Sequence, residues 1–146
     1  ELDGIYLPDL PSTSVAQFEA PGTNTHASPG IAETGNGLLI NPIQETGQYV
    51  TPFSWGYRAG LLLLYNNVLI PGLSLRPLIV MVHDIDGVAP GLAENHLEGR
   101  TIMLNNLEAK YRGFSFNLQY ARFGGAGRQN TLRDRDLVAL AVSYDF

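Results

Sequence analysis

The residues best suited to metal chemistry stand in one acidic segment, His83-Asp-Ile-Asp-Gly87. Asp84 and Asp86 are two positions apart, and Glu94 and Glu98 follow in the same loop. Carboxylate oxygens of this kind bind Ca²⁺, but the spacing does not complete the twelve-position calcium loop. A solvated loop in which the Asp residues form turns explains the same pattern. We therefore expect no metal and no cofactor, with Asp84 and Asp86 as the alternative candidates for a cation site.

Motifs for enzymatic catalysis are missing from the sequence. The chain has no cysteine, which excludes thiolate ligands and a Cys nucleophile. It contains no Gly-x-Ser-x-Gly, Walker or His-Glu-x-x-His motif. We therefore predict that the protein is not an enzyme and has no catalytic residue. A lipid hydrolase with a serine and a histidine at a loop-bearing rim is the enzymatic alternative, and it would depend on His83 or His96.

A basic cluster near the C-terminus offers a different chemistry, the binding of phosphate groups. Arginine guanidinium groups match phosphate oxygens in geometry and charge. Because acidic residues are interleaved with the arginines, Arg–Asp pairs that order a loop are the alternative. The cluster consists of Arg128, Arg133, Asp134, Arg135 and Asp136.

The segment that follows this cluster indicates which elements position these residues. From Val138 to Phe146, large apolar side chains recur at every second position, and the residues between them are small or polar. This alternation predicts a β-strand with one apolar face. An outer-membrane β-barrel ends on such a strand, because its last strand closes against the first and faces lipid. Tyr144 and Phe146 also resemble the signal by which the barrel assembly machinery inserts such proteins.

Period-two alternation predicts an all-β chain with five strands, at residues 55–66, 73–84, 100–111, 114–123 and 136–146. We expect them to belong to a transmembrane antiparallel β-barrel, in which side chains alternate between lipid and lumen. The predicted lipid-facing residues are Leu61, Leu63, Phe116, Leu118, Tyr120, Leu140 and Val142. The predicted lumen-lining residues are Arg58, Arg76, Leu78, Val80, Glu108, Lys110, Asn117 and Gln119. A soluble β-sandwich with one of these faces in its core is the alternative fold.

The connections between these strands alternate in length. Residues 67–72 and 112–113 form short turns, whereas residues 85–99, residues 124–135 and the segment before residue 55 are long. Outer-membrane barrels have short periplasmic turns and longer extracellular loops, so we predict that the long loops are extracellular and the C-terminus is periplasmic. The smallest usual barrel has about eight strands. Five strands therefore indicate the C-terminal portion of a barrel that closes with strands of the same barrel or of another chain.

Charge divides the chain into two parts. The first fifty residues contain six acidic residues, no Lys or Arg, and five of the nine prolines. We predict that residues 1–50 are an acidic, Pro-rich extracellular loop segment, with a short piece of strand at 37–41, and that residues 51–146 carry the five strands. The net charge of -5 argues against nucleic acid as a partner. No apolar run of about 18 residues occurs, so no transmembrane helix is expected.

Four segments of the second part carry a family resemblance. They are Thr51-Pro-Phe-Ser-Trp-Gly-Tyr57, His83-Asp-Ile-Asp-Gly-Val-Ala-Pro-Gly91, Glu98-Gly-Arg100 and Asn130-Thr-Leu-Arg-Asp-Arg-Asp136. In order and approximate spacing they resemble the C-terminal end of the Gram-negative outer-membrane proteins filed as domain of unknown function 1302. The resemblance covers about residues 51–146. It implies a barrel in the bacterial outer membrane and, more broadly, the uptake of hydrophobic compounds.

We therefore expect a passive channel for small hydrophobic molecules that works without a cofactor. A barrel anchor whose external loop binds a partner or ligand is the alternative, and an outer-membrane lipid hydrolase is a further one. The expected partners are outer-membrane lipid and lipopolysaccharide, the barrel assembly machinery, and the remaining strands of the same barrel or of another chain.

Overall fold

One antiparallel sheet accounts for the regular structure of the chain. The computed structural model describes residues 1–12, 14–16, 18, 49–90 and 96–146. In these residues the fold is all-β apart from one 3₁₀ turn at Gly127–Gln129. The sheet has seven strands: β1 (Leu2–Tyr6), β2 (Phe53–Leu62), β3 (Tyr65–Asn66), β4 (Ser74–Asp86), β5 (Thr101–Tyr111), β6 (Phe114–Gly124) and β7 (Leu137–Tyr144). Their order is β1-β2-β4-β5-β6-β7, and β3 pairs with β4.

The last four predicted strands are confirmed, with every boundary within two residues. Each of them is a segment in which apolar and smaller or polar side chains alternate, and alternation specifies both a strand and the face that it buries. The β5–β6 pair is registered from Tyr111↔Phe114 to Thr101↔Gly124. The two-residue turn of this hairpin holds Arg112 and Gly113 at φ 47° and 84°. Two successive positive φ values are typical of the type I′ hairpin turn, so the predicted tight turn is confirmed.

The first predicted strand, residues 55–66, is divided in two. Its alternation gave no sign of a break, but β2 ends at Leu62 and pairing with β4 resumes only at Tyr65 in β3. The break lies opposite Pro77, whose carbonyl accepts a hydrogen bond from the Leu63 amide at 3.0 Å. Proline has no N–H to return a bond, so the ladder is incomplete at this position. Leu63 consequently follows the end of β2, and its contact with lipid stays a prediction.

The N-terminal segment contains a strand that the sequence did not predict. We expected residues 1–50 to form a loop, but β1 pairs with β2 from Leu2↔Tyr57 to Tyr6↔Phe53. The backbone nitrogen of Glu1 adds a 3.0 Å hydrogen bond to the carbonyl oxygen of Arg58. Residues 2–6 do not alternate between apolar and polar side chains, and the strand forms because the edge of β2 supplies a partner. The described sheet therefore has seven strands instead of five, and the predicted strand at 37–41 lies outside the described residues.

The long and short connections lie at opposite ends of the sheet. Because the strands are antiparallel, residues 7–52, 87–100 and 125–136 all connect strands at one end, which we call the long-loop end. Residues 63–73 and 112–113 connect them at the other end. A small apolar core of the described residues, Val88 and Leu97 with Ala126 against them, also lies at the long-loop end.

The register of the strands defines two faces. We call one the apolar face because it combines aliphatic and aromatic residues, and the other the mixed face because polar and apolar residues share it. The apolar face includes Leu61, Ile79, Met81, Met103, Leu107, Phe116, Leu118, Tyr120, Leu140 and Val142. The mixed face includes Arg58, Leu62, Arg76, Leu78, Val80, Leu104, Asn106, Glu108, Lys110, Asn117, Gln119, Ala121, Leu137 and Ala139.

Large side chains of the apolar face are exposed. Leu140 is 70% exposed, Leu118 45% and Phe116 43%. Among the described residues there is no second sheet that packs on either face, and β1 and β7 are the two edge strands of an open sheet. The packing expected of a β-sandwich, two inner faces about 10 Å apart, is therefore not found in this part of the chain.

Candidate functional site

The eight predicted lumen-lining residues lie together on the mixed face. Arg76 is registered opposite Glu108, which is opposite Asn117. In the next row toward the long-loop end, Leu78 lies opposite Asn106, which is opposite Gln119. Arg58, Val80 and Lys110 complete the set on the same face. Sequence alternation alone thus grouped side chains that four strands bring together, and the lining of a lumen by them stays a prediction.

Charged side chains of the mixed face form a small cluster near the short-turn end. Glu108 contacts Arg76 through Oε2 and Nη1 at 3.7 Å, and Lys110 through Oε1 and Nζ at 3.0 Å. The Arg76 and Lys110 side chains are each 52% exposed, and the Glu108 side chain is 24% exposed. Ion pairs this accessible to solvent stabilise a fold by about 0–1 kcal/mol. Two cations share one carboxylate, so the cluster carries an excess positive charge.

A cavity of about 420 Å³ adjoins this cluster on the side toward the long loops. Leu78, Val80, Leu104 and Leu137 supply its apolar lining, and Asn106 and Gln119 lie at the border with the charged cluster. The Asn106 Oδ1 atom is buried and has no hydrogen-bond partner in the described residues. Ligand pockets of about 300–1,000 Å³ with a mostly apolar wall and a few polar groups are typical of small-molecule sites.

Six of the seven predicted lipid-facing residues lie in strands on the opposite, apolar face, and Leu63 follows the end of β2. Phe116 is opposite Val142, Leu118 opposite Leu140, and Leu61 is on the same side of β2. Tyr120 continues the row, opposite Val138. Contact with lipid itself stays a prediction.

The two residues of the predicted assembly signal end this face. The Tyr144 ring lies 4.6 Å from the Phe114 ring and 6.3 Å from the ring of Phe146, measured between centroids. Phe146 follows the end of β7 and is fully exposed. An exposed aromatic side chain is available to a partner, and recognition by the assembly machinery stays a prediction.

Asp84, one of the two candidate metal ligands, is buried in an ion pair. Its Oδ2 atom lies 2.6 Å from Arg100 Nε and accepts a 3.0 Å hydrogen bond from the Leu97 amide. The backbone joins the same residues, since Gly99 N donates to Asp84 O at 2.9 Å. The predicted strand 73–84 ended on Asp84, and the structure places this residue in β4, where its carboxylate binds the guanidinium group of Arg100. Asp86 ends β4 and is exposed, and the described residues contain no cluster suited to a metal ion.

His96 joins two other distant residues at the long-loop end. Its Nδ1 atom lies 3.0 Å from Ser54 Oγ, and its Nε2 atom lies 3.1 Å from Asp3 Oδ2. Arg58 Nη2 is 3.6 Å from the same Asp3 oxygen. This is a serine–histidine–aspartate chain, the set of groups that activates a nucleophile in many hydrolases. Ser54 and His96 are each 1% exposed, so a substrate carbonyl has no access to Ser54 Oγ in this structure.

His83, the other histidine on which the hydrolase alternative depends, makes an aromatic contact instead. Its ring packs edge-on against Tyr57 at 5.6 Å on the apolar face. The sequence gave no signal for the contacts of His96, because Asp3 is 93 positions away and lies in the unpredicted strand β1.

Comparison with known proteins gives the family. The family model described as "Protein of unknown function (DUF1302)" matches residues 1–146. The chain belongs to this family. The match also covers the first fifty residues, in which we had found no resemblance. No curated protein and no solved structure matches the chain.

The four segments that resembled DUF1302 proteins meet at the long-loop end. Residues 51–57 enter and begin β2, residues 83–90 leave β4, residues 98–100 precede β5, and residues 130–136 precede β7. They supply Ser54, Asp84 and Arg100 to the buried contacts described above. In this DUF1302 chain the recognisable motifs therefore anchor loops to the sheet. No helix among the described residues is long and apolar enough to cross a membrane.

The basic cluster of the DUF1302 chain is partly paired. Arg133 Nε lies 3.0 Å from Asp134 Oδ1, and both side chains are solvent-accessible. Asp136 Oδ1 accepts a 2.8 Å hydrogen bond from the Phe123 amide. These contacts fit the alternative in which acidic residues order the loop. The Arg128 side chain lies outside the described part of the chain, and phosphate binding by the cluster stays a prediction.

Proposed function

We propose that this chain is the C-terminal portion of a transmembrane β-barrel of the bacterial outer membrane, and that the barrel is a passive channel for small hydrophobic molecules. One observation carries the proposal: a single sheet exposes a largely apolar face, interrupted by Asn105, on one side and a mixed face with a cavity on the other. The open edges at β1 and β7 would be closed by further strands of the same barrel or of another chain. Closure satisfies edge hydrogen bonds, which a bilayer requires.

The dimensions of the strands support a membrane location. A tilted transmembrane strand needs about 9–11 residues. Strands β2, β4, β5 and β6 reach this length, with 10, 13, 11 and 11 residues, and β7 has 8. The large exposed side chains of the apolar face extend over neighbouring strands of the sheet, and a large exposed apolar patch indicates contact with a membrane or a partner. The long-loop end would be extracellular and the C-terminus periplasmic, because outer-membrane barrels place long loops outside.

The mixed face supports passage of apolar solutes. In a water-filled channel its side chains would be polar throughout, but Leu78, Val80, Leu104 and Leu137 form an apolar wall beside the charged cluster. Diffusion along such a wall needs no cofactor and no catalytic residue. The buried position of Ser54 and His96 supports a structural role for these residues and argues against the hydrolase alternative.

The membrane location is tested by charge placed on neighbouring residues of β7. Leu140 is on the apolar face and Ala139 on the mixed face, and both are exposed. Leu140→Arg is expected to cost about 2–4 kcal/mol if the side chain enters hydrocarbon, whereas Ala139→Arg stays in the lumen and costs much less. Folding yield into lipid vesicles and unfolding in urea measure the difference. Equal effects of the two substitutions would contradict the proposal, since a water-exposed sheet tolerates both.

Channel function is tested by permeation. Proteoliposomes with the whole protein are expected to take up small apolar solutes faster than empty vesicles, and planar-bilayer recordings report whether the pore conducts ions. Leu78→Asp and Val80→Asp should reduce uptake of apolar solutes, because each places a charge on the apolar wall. Leu78→Met is the matched control, since it keeps the wall apolar at similar volume. Unchanged uptake in folded Asp variants would contradict the route along the mixed face.

A second cavity favours the alternative of a barrel anchor with a ligand-binding external segment. It has a volume of about 360 Å³ and lies at the long-loop end between Leu7, Leu10, Phe18, Val50 and Pro90. Phe18 O accepts a 3.0 Å hydrogen bond from Val50 N, which holds the two sides together. Binding of an apolar ligand that is lost in Leu10→Asp, in a protein without permeation, would favour this function over transport.

A further inference from the structure

We propose that the mixed face binds an amphipathic anion, a molecule with an apolar body and a carboxylate head, with the body in the 420 Å³ cavity and the head on the exposed sides of Arg76 and Lys110, next to Glu108. The inference deepens the proposed function and rests on it, because the mixed face becomes an enclosed lumen only in a closed barrel. It assigns a substrate class to that lumen.

The arrangement of rows on the mixed face carries the argument. Lys110, then the Arg76–Glu108 pair, then Leu78 with Asn106, then Val80 with Leu104 follow one another from the short-turn end. Side chains two positions apart on one strand are about 6.5–7 Å apart. The charged side chains are therefore followed by the side-chain amide of Asn106, and the amide by the apolar wall of Leu78, Val80 and Leu104. The three regions together span about the length of one small amphipathic molecule.

The charges of the cluster favour an anionic head over a cationic one. Two cations contact one carboxylate, and both cationic side chains are half exposed. This local excess of positive charge occurs in a chain whose net charge is -5. In a low-dielectric lumen such a charge acts on a ligand more strongly than in bulk water. Arg76 presents a fork that matches a carboxylate, and Lys110 adds a second donor.

The exposed ion pairs leave the cations available. Glu108 holds each of them by a contact worth about 0–1 kcal/mol. A ligand carboxylate can therefore join the cluster without breaking a buried interaction. The alternative is that the three side chains only fill the lumen with ion pairs, and it predicts no preference among head groups.

The test uses three probes that share one chain length: octanoate, octanol and octyltrimethylammonium. Their binding is measured by calorimetry with the whole protein in lipid nanodiscs, after subtraction of empty nanodiscs. We expect octanoate to bind more tightly than the other two, on the order of tenfold, as expected for a charged hydrogen-bonded head. Equal affinity for the three probes overturns the inference.

Two variants with opposite effects sharpen the test. Arg76→Gln with Lys110→Gln should reduce octanoate affinity about tenfold or more and leave octanol unchanged. Glu108→Gln should raise octanoate affinity, because it removes the competing carboxylate. Arg112→Gln is the matched control, since it removes a cation from the hairpin turn outside the cluster, and it should leave all three affinities unchanged. A loss of octanoate binding in the control equal to that in the double variant also overturns the inference.

The neutral probe separates this inference from the proposed function. If octanol crosses the vesicle membrane through the protein and octanoate does not bind more tightly, the inferred preference for an amphipathic anion is wrong. The proposed channel function is then unaffected. If none of the three probes binds or crosses, the channel and the anion site both fail.

Discussion

Removal of Arg100 tests what holds the long loops on the sheet. The Asp84 and Arg100 side chains are only 3% and 8% exposed, and their charged atoms are 2.6 Å apart. Arg100→Met keeps most of the apolar stem of the side chain but leaves the Asp84 carboxylate without its guanidinium partner. Loss of one member of a buried pair costs about 3–5 kcal/mol, because the remaining charge is uncompensated.

The assay is urea unfolding of the whole protein in lipid vesicles, followed by tryptophan fluorescence. Trp55 lies next to Ser54 at the same end of β2 and reports on this region. Arg133→Met is the matched control, since Arg133 forms an exposed ion pair with Asp134. That substitution should change the unfolding free energy by about 0–1 kcal/mol.

A double variant identifies the physical cause. If the cost of Arg100→Met comes from the unpaired carboxylate, Asp84→Asn should restore part of the lost stability when added to it. The reasoning would be refuted if Arg100→Met were no more destabilising than Arg133→Met. It would also be refuted if the double variant had a lower unfolding free energy than Arg100→Met, by as much as the removal of a second buried polar group costs.

Three further substitutions probe the turns and loop contacts by the same urea titration. Gly87→Ala should lower the unfolding free energy by about 1–3 kcal/mol, since φ is +78° and a Cβ would overlap the backbone of β2. Gly60→Ala is the control, because no atom lies within 4 Å of its added Cβ. It should change the unfolding free energy by about 0.5 kcal/mol or less. Ser54→Ala should lower the unfolding free energy by about 1–3 kcal/mol, because His96 loses a buried hydrogen bond. Ester hydrolysis by the wild-type protein should be no faster than background. A measurable rate that this substitution abolishes would favour the hydrolase. Arg112→Asn should raise the unfolding free energy by roughly 1 kcal/mol, because Asn adopts positive φ more readily. A decrease would mean that the contact of the Arg112 guanidinium group with the Tyr111 ring stabilises the fold by more than this gain.

Local alternation was sufficient to predict β4 to β7 and the division of their side chains between two faces. Phe116, Leu118 and Leu140 belong to one face and Asn117, Gln119 and Ala139 to the other because successive side chains of a strand point in opposite directions. The Arg112-Gly113 turn was likewise predictable, since turn chemistry is carried by two adjacent residues. A family resemblance on four motifs identified the family that the comparison then gave.

Contacts between distant residues were decided only by the tertiary structure. Strand β1 forms because β2 offers a free edge, and five residues of sequence carry no period of their own. The meeting of Asp3, Ser54 and His96 follows from that pairing, across 93 positions of chain. Sequence placed Asp84 at the end of a predicted strand but gave no sign of its partner, and its position in β4 opposite Gly56 places it within reach of Arg100. Periodicity fixes the direction of a side chain, whereas the identity of its partner depends on strand register and on where each loop returns to the sheet.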